Sequence, residues 1–363
     1  MSQEEAAQAV AENLFMSRVK DASWLDRQEF PPLEWCVDGI LPEGYALLVA
    51  PPKAGKSWLV ANIGLACATG GMALGGIEVQ QRPVLYLALE DGDRRLQTRF
   101  RTIMEDTKLP SLMHRVLDVN GLLEATIIAE EFQDRMRLEH PNMAPPLVIV
   151  DTLARVSPDR KMSESQYQAD YALGAKLQDL AKRSPGSTVL AVHHTNKGEH
   201  ADFMSSVSGT QGVTGACDAV LALKRARKSD DAVLSVTGRD IANETEYALN
   251  ADGGRWSLIG NSLSSAEAAV DQVKQDQADA AISAKYGDRT SAVLQAVNNT
   301  RDSEGEGITP KEVAESLDID LRQAGNILAR LHKSGQVAKP SRGRYAPVES
   351  TGWIVQDSNR PAL

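Results

Sequence analysis

The chain has 363 residues, 42% of them hydrophobic and 24% charged, with aromatics at 5%; this is a globular composition with room for two domains, and it excludes a disordered or fibrous chain. A formal charge of -10, from 39 Lys+Arg against 49 Asp+Glu, excludes a surface coated overall in cations for nucleic acid, so any polyanion site must be local. Cys36, Cys67 and Cys217 lack metal-ligand spacing, the N-terminus is acidic where a signal peptide is basic, and no apolar run approaches the roughly 18 residues that cross a bilayer. The expectation is a soluble, cytoplasmic protein with no structural zinc and no membrane contact.

In chain order, residues 1–30 form an Ala/Glu-rich arm with a short amphipathic helix (Ala7, Val10, Leu14), ended by Pro31-Pro32. Residues 31–260 read as one α/β domain on a mostly parallel central sheet. Its near-continuous apolar runs Tyr45 to Ala50, Val84 to Leu89, Leu147 to Val150 and Thr188 to Val192 have the length and pattern of strands covered on both faces. A helix over 163–183 carries Leu173, Leu177 and Leu180 on one stripe, with Ser163 at its cap and Pro185-Gly186 beyond its end. The runs 219–224, 232–237, 247–250 and 255–259 predict an antiparallel meander at the sheet edge. Residues 261–288 read as a linker, part helix and part coil, residues 289–348 as a second compact unit, and 349–363 as a tail.

The segment Tyr45-Ala-Leu-Leu-Val-Ala-Pro-Pro-Lys-Ala-Gly-Lys-Ser-Trp is a strand, a tight loop and a helix start, with P-loop spacing from Ala50 to Gly55-Lys56-Ser57. In such a loop, here Ala50, Pro51, Pro52, Lys53, Ala54, Gly55, Lys56, Ser57 and Trp58, backbone N–H groups and the helix N-terminus surround phosphates. Lys56 adds a charge on the β/γ oxygens, and the Ser57 hydroxyl ligates Mg2+. Ala50 replaces the first glycine of the pattern. Leu147-Val-Ile-Val-Asp151 is the companion strand, whose aspartate holds a Mg2+-bound water beside Ser57. Val84-Leu-Tyr-Leu-Ala-Leu ends in Glu90-Asp91. A carboxylate at the end of a strand neighbouring the P-loop can deprotonate a water in line with the γ-phosphate, so Glu90 is the candidate base and Asp91 its alternative. His193-His194 end the fourth run, and only one of two adjacent strand residues can face the phosphate as a sensor.

Assembled, these motifs resemble the RecA-like hexameric ATPases, and most closely plasmid and phage helicases of the RepA type. The resemblance covers about residues 30–260 and rests on Phe30-Pro-Pro-Leu-Glu-Trp-Cys-Val-Asp-Gly-Ile-Leu-Pro-Glu-Gly, Ala-Pro-Pro-Lys-Ala-Gly-Lys-Ser, Leu-Glu-Asp, Val-Asp-Thr-Leu-Ala-Arg and His-His-Thr-Asn-Lys. It implies a RecA-like P-loop core using ATP and Mg2+, with Lys56 and Ser57 on triphosphate and metal, Glu90 activating water, Asp151 on the metal and His194 as sensor before His193. It also implies a homo-oligomer, a hexameric ring in which an arginine finger reaches the neighbouring site; Arg239 occupies the matching place, with Lys224 or Arg225 as fallbacks. Such rings thread single-stranded DNA through a pore, here through the loop 196–212 with Lys197. The implied function is an ATP-hydrolysing DNA helicase or translocase in plasmid or phage replication. A filament-forming recombination or repair ATPase, and a DNA-binding initiator or regulator switched by ATP, are the alternatives.

Residues 289–348 read as a winged helix-turn-helix. Thr309-Pro310 starts a short helix, 321–334 is the second helix, and 336–347 is a basic hairpin with Gly343 at its tip. Between 321 and 348 there are six basic residues and no acidic ones: Arg322, Arg330, Lys333, Lys339, Arg342 and Arg344. That asymmetry in an acidic chain predicts contact with duplex DNA, helix to groove and wing to phosphate; protein contact is the other use of such a module.

Overall fold

The computed structural model describes residues 3–157, 166–194, 214–225, 229–241, 243–286, 288–302 and 307–348. The chain divides into two compact units, Met1–Ala269 and Val270–Leu363.

The first unit is a three-layer α/β structure. Its strands are β1 (Trp35–Val37), β2 (Leu41–Pro42), β3 (Gly44–Ala50), β4 (Met72–Ala73), β5 (Ile77–Glu78), β6 (Val84–Ala88), β7 (Met113–Val116), β8 (Leu147–Asp151), β9 (Thr188–His194), β10 (Ala219–Arg225), β11 (Asp231–Gly238), β12 (Thr245–Asp252) and β13 (Arg255–Leu258). Nine of them form one sheet in the order β13-β12-β11-β10-β3-β9-β8-β6-β7. The six strands from β10 to β7 run parallel, and β11, β12 and β13 return antiparallel as the predicted meander. The pairs β1-β2 and β4-β5 are separate small ladders.

The helices are α1 (Gln3–Arg18), α2 (Ala22–Asp26), α3 (Lys56–Thr69), α4 (Asp93–Met104), α5 (Leu122–Glu139), α6 (Leu153–Val156) and α7 (Gln166–Arg183). Alternation along β3 explains the two core layers. Ala46, Leu48 and Ala50 point into the cluster that α3 and α4 complete, while Tyr45, Leu47 and Val49 join the cluster of α5 and α7. A strand buried on both faces needs an apolar residue at every position, which is why β3, β6, β8 and β9 read as continuous runs.

Three expectations change. The strand β6 does not neighbour the P-loop strand: β9 and β8 stand between them, because right-handed crossovers from β3 can skip positions that later strands fill. Residues 261–288 are not a mixture of helix and coil; Leu263–Tyr286 is one helix, as expected where Ala, Gln, Asp and Lys of good or neutral propensity run without proline or glycine. In the arm the helix forms, but Leu14 is 45% exposed. Ser163 lies outside the described residues.

The second unit packs helices Asp288–Asn298, Pro310–Ser316 and Leu321–Lys333 with the hairpin β14 (Val337–Ser341) and β15 (Arg344–Pro347). Val293, Leu294, Val297, Val313, Leu328, Leu331 and Tyr345 are in its core. Thr309 and Glu312 form a reciprocal capping box with Pro310 in the first turn, which satisfies two otherwise unpaired backbone donors.

Leu190, fully buried on central β9, tests this layering. Leu190→Ala is expected to cost the first unit about 2–5 kcal/mol in urea unfolding, through lost transfer energy and the cavity left behind; a loss below about 1 kcal/mol would contradict a central position for β9.

Candidate functional site

The carboxyl ends of the parallel strands meet at one edge of the sheet. Strand β3 ends at Ala50, the chain turns through Pro51–Gly55, and α3 begins at Lys56. Gly55 makes this turn with φ of 102°, a conformation that costs a residue with a Cβ and suits glycine. A Cβ there would also lie 2.7 Å from the Trp256 ring. Lys56 is 5% exposed, and its Nζ donates to the carbonyls of Ala50 (2.9 Å) and Pro51 (3.0 Å). Burial lowers its pKa to about 8, against the opposing pull of Asp151 and Glu90. A buried cation satisfied only by carbonyls, at the start of a helix, is a site prepared for an anion.

Asp151 ends β8 and is buried. Its Oδ2 accepts from the Tyr86 hydroxyl at 2.8 Å, whereas Oδ1 is buried with no hydrogen-bond partner. Burial raises its pKa, and the Ser57 and Tyr86 hydroxyls oppose that rise. An orphaned carboxylate oxygen beside a serine hydroxyl is a hard oxygen pair that fits Mg2+. Among the described residues no group of three or more His, Cys, Asp or Glu could hold a metal.

Glu90 follows β6. Its Oε1 accepts from Thr152 Oγ1 at 3.0 Å, and its Oε2 lies 4.0 Å from His194 Nε2. Asp91 instead pairs with Arg99 and with Arg95 (3.6 Å), so of the two carboxylates Glu90 is the one turned to the site. His194 sits among Lys56, Glu90 and Asp151; burial and Lys56 lower its pKa, so it is neutral at pH 7, and its Nδ1 has no partner. His193 senses Asp170 of α7 as well as Lys56, and burial lowers its pKa also. Thus the structure brings together Lys56, Ser57, Asp151, Glu90 and His194. Trp58 lies beside them, packed on Gly254 and 5.4 Å from the Arg99 guanidinium.

Arg239 is not brought to this edge. Strand β11 runs antiparallel to β10, with Gly238 opposite Ala219, so Arg239 sits at the amino end of the parallel strands. There it pairs with Asp218 at 3.5 Å and donates to the Gly215 carbonyl at 3.4 Å. Lys224 and Arg225 end β10 on the P-loop edge, but Arg225 donates to the Ser229 carbonyl (2.6 Å), pairs with Asp230 (3.0 Å) and lies 5.5 Å from the Trp256 ring centroid. Lys197 and the loop 196–212 lie outside the described residues.

In the second unit Arg322 and Arg330 share one face of helix Leu321–Lys333 with Gln323 and Asn326, and with Thr290, Ile327 and the acidic Asp320 they line a cleft of about 670 Å³. Arg330 also donates to Thr290 Oγ1 (2.5 Å), Arg344 to the Gly307 carbonyl (2.9 Å), and Lys339 lies 5.5 Å from the Tyr345 ring centroid. Lys333 and Arg342 are exposed.

Sequence reasoning missed Tyr86, Thr152 and Trp256. Tyr86 had a signal, as the only residue with a polar tip among Val84–Leu89, since a buried phenol needs a partner. Trp256 had none, because its contact with Gly55 joins residues about two hundred positions apart.

A family model described as an AAA domain matches residues 13–200, over half of the chain. No curated protein matches it. Among solved structures the chain is similar to a DnaB-like replicative helicase, described with its interactions with primase, at 12% identity, 70% coverage of this chain and 68% of that one, and a TM-score of 0.48. No described helix is long and apolar enough to cross a membrane.

The Lys56 environment gives a pH prediction. A bound polyphosphate stabilises the charged lysine, so its pKa rises above about 8 on binding. Nucleotide binding therefore takes up protons between the free and bound pKa values, and affinity falls as pH rises through 8. Calorimetry near pH 8.5 in buffers of different ionisation heat should show that uptake, and Lys56→Met should abolish it; equal heats in all buffers would contradict the assignment.

Proposed function

The chain belongs to the AAA_25 family of AAA domains, and we propose that it is an ATP-driven DNA motor, a helicase or translocase on single-stranded DNA in plasmid or phage replication. The observation that supports this reading most is the convergence of Lys56, Asp151, Glu90 and His194 on the loop Pro51–Gly55. A turnover machine needs a base as well as a phosphate cradle, whereas a nucleotide switch needs only the cradle.

In this reading Lys56 leaves the two carbonyls for the β/γ oxygens, and backbone N–H groups of the loop with the α3 N-terminus hold the remaining phosphate charge. Ser57 and Asp151 would hold Mg2+, which would supply charge neutralisation on the phosphates. Glu90 takes a proton from the water that attacks the γ-phosphorus while the bond to the ADP oxygen breaks. Neutral His194 can donate to a γ-oxygen and reports the phosphate to the chain that follows β9.

The site is completed in trans within a homo-oligomeric, hexameric ring. A finger for a neighbour must lie away from its own P-loop, and Arg239 meets that condition, while Arg225 is engaged by its own Ser229 and Asp230. Lys197 is the proposed contact for single-stranded DNA. The second unit is a winged helix whose Arg322, Arg330, Lys333, Lys339, Arg342 and Arg344 contact duplex DNA, a use supported by the cleft along its last helix.

Glu90→Gln should bind ATP with unchanged affinity yet lose on the order of a hundredfold or more in turnover. Wild-type turnover should be sustained and raised by single-stranded DNA above duplex. Surviving turnover in Glu90→Gln removes the base, and a slow rate indifferent to single strands favours the ATP-switched regulator.

A further inference from the structure

Asp151 ends β8 and Glu90 lies two residues beyond the end of the adjacent β6, and each is held by a hydroxyl from the other's segment. Tyr86, on the strand that leads to Glu90, donates to Asp151 Oδ2 at 2.8 Å. Thr152, immediately after Asp151, donates to Glu90 Oε1 at 3.0 Å. The strand ends are in fixed register, since Ala88 pairs with Asp151 and the Leu89 amide donates to the Asp151 carbonyl at 2.8 Å.

Thr152 is 1% exposed and stands at the N-cap of α6, where a threonine normally accepts a helix N–H. Here its side chain makes no capping bond; the hydroxyl is directed to the carboxylate instead. The main chain on Glu90's side is held as well, because Arg95 donates to the Glu90 carbonyl (3.1 Å) and Arg155 to the Leu89 carbonyl (3.2 Å). With Oε1 held, Oε2 is the oxygen left on the His194 side.

We propose that Thr152 is a positioning residue for hydrolysis, fixing Glu90 through its hydroxyl bond to Oε1 so that Oε2 alone faces the attacking water. The proposal rests on Glu90 being the base.

The test compares full-length wild type, Thr152→Val, Thr152→Ser and Glu90→Gln for ATP affinity, kcat and KM. Thr152→Val, nearly the same shape without the donor, should bind ATP within about twofold of wild type and lose roughly tenfold or more in kcat. Thr152→Ser, which keeps the donor, should restore kcat. An unchanged kcat in Thr152→Val, with Glu90→Gln inactive, overturns the proposal and leaves the base standing. Equal damage by valine and serine, or affinity lost in step with kcat, makes Thr152 a packing residue and overturns it too. Turnover surviving in Glu90→Gln removes the base itself.

Discussion

The parallel register of β3, β9, β8 and β6 is the constraint on which the site depends. Ala50 pairs with His194, Asp151 with Val192, and Ala88 with Asp151, so four strands end within a residue or two of one another. Neighbouring strands lie about 4.8 Å apart, and residues at their carboxyl ends are therefore within reach of one phosphate group without help from long loops. Lys56, Asp151, Glu90 and His194 come from four separate parts of the chain, and the sheet holds them at one edge. Ligand sites of open α/β sheets are built at such carboxyl ends for this reason.

Burying charge at that edge has a cost that shapes its chemistry. Lys56 is shielded from water with only carbonyls as partners, and its proton is held less tightly than usual; Asp151 is shielded with one oxygen unpaired, and its proton is held more tightly. In the proposed reading a polyphosphate and its cation would relieve both strains together, so binding free energy would be available to order the site. Tyr86 holds one oxygen of the buried Asp151 and Thr152 one oxygen of the more exposed Glu90, so each hydroxyl leaves the other oxygen of its carboxylate unheld.

Much of the architecture was legible because it is local. The P-loop, the buried strands, the antiparallel meander and the Thr309 cap each follow from a few consecutive residues, and continuous apolar runs can hardly be anything but covered strands. Strand order was not legible, since parallel strands are joined by crossovers whose landing place no short window encodes; hence Glu90 was given a strand beside the P-loop when two others intervene. Arg239 illustrates the same limit. Its position after a late strand was readable, but the direction of that strand, which sends it to the opposite edge and to Asp218, was not. Thr152 was in plain view beside Asp151, yet its partner is 62 residues away, and only the register of β6 against β8 joins them.

The proposed arginine finger from a second copy would make hydrolysis depend on assembly. The most direct measurement is the steady-state ATPase rate per chain across a wide range of protein concentration, with Mg2+ and saturating single-stranded DNA. A rate per chain that climbs with concentration and then levels is the predicted result, with the rise tracking oligomer formation by light scattering. A rate per chain that stays flat down to concentrations where only single chains remain would show that one copy hydrolyses ATP unaided, and would contradict the shared site.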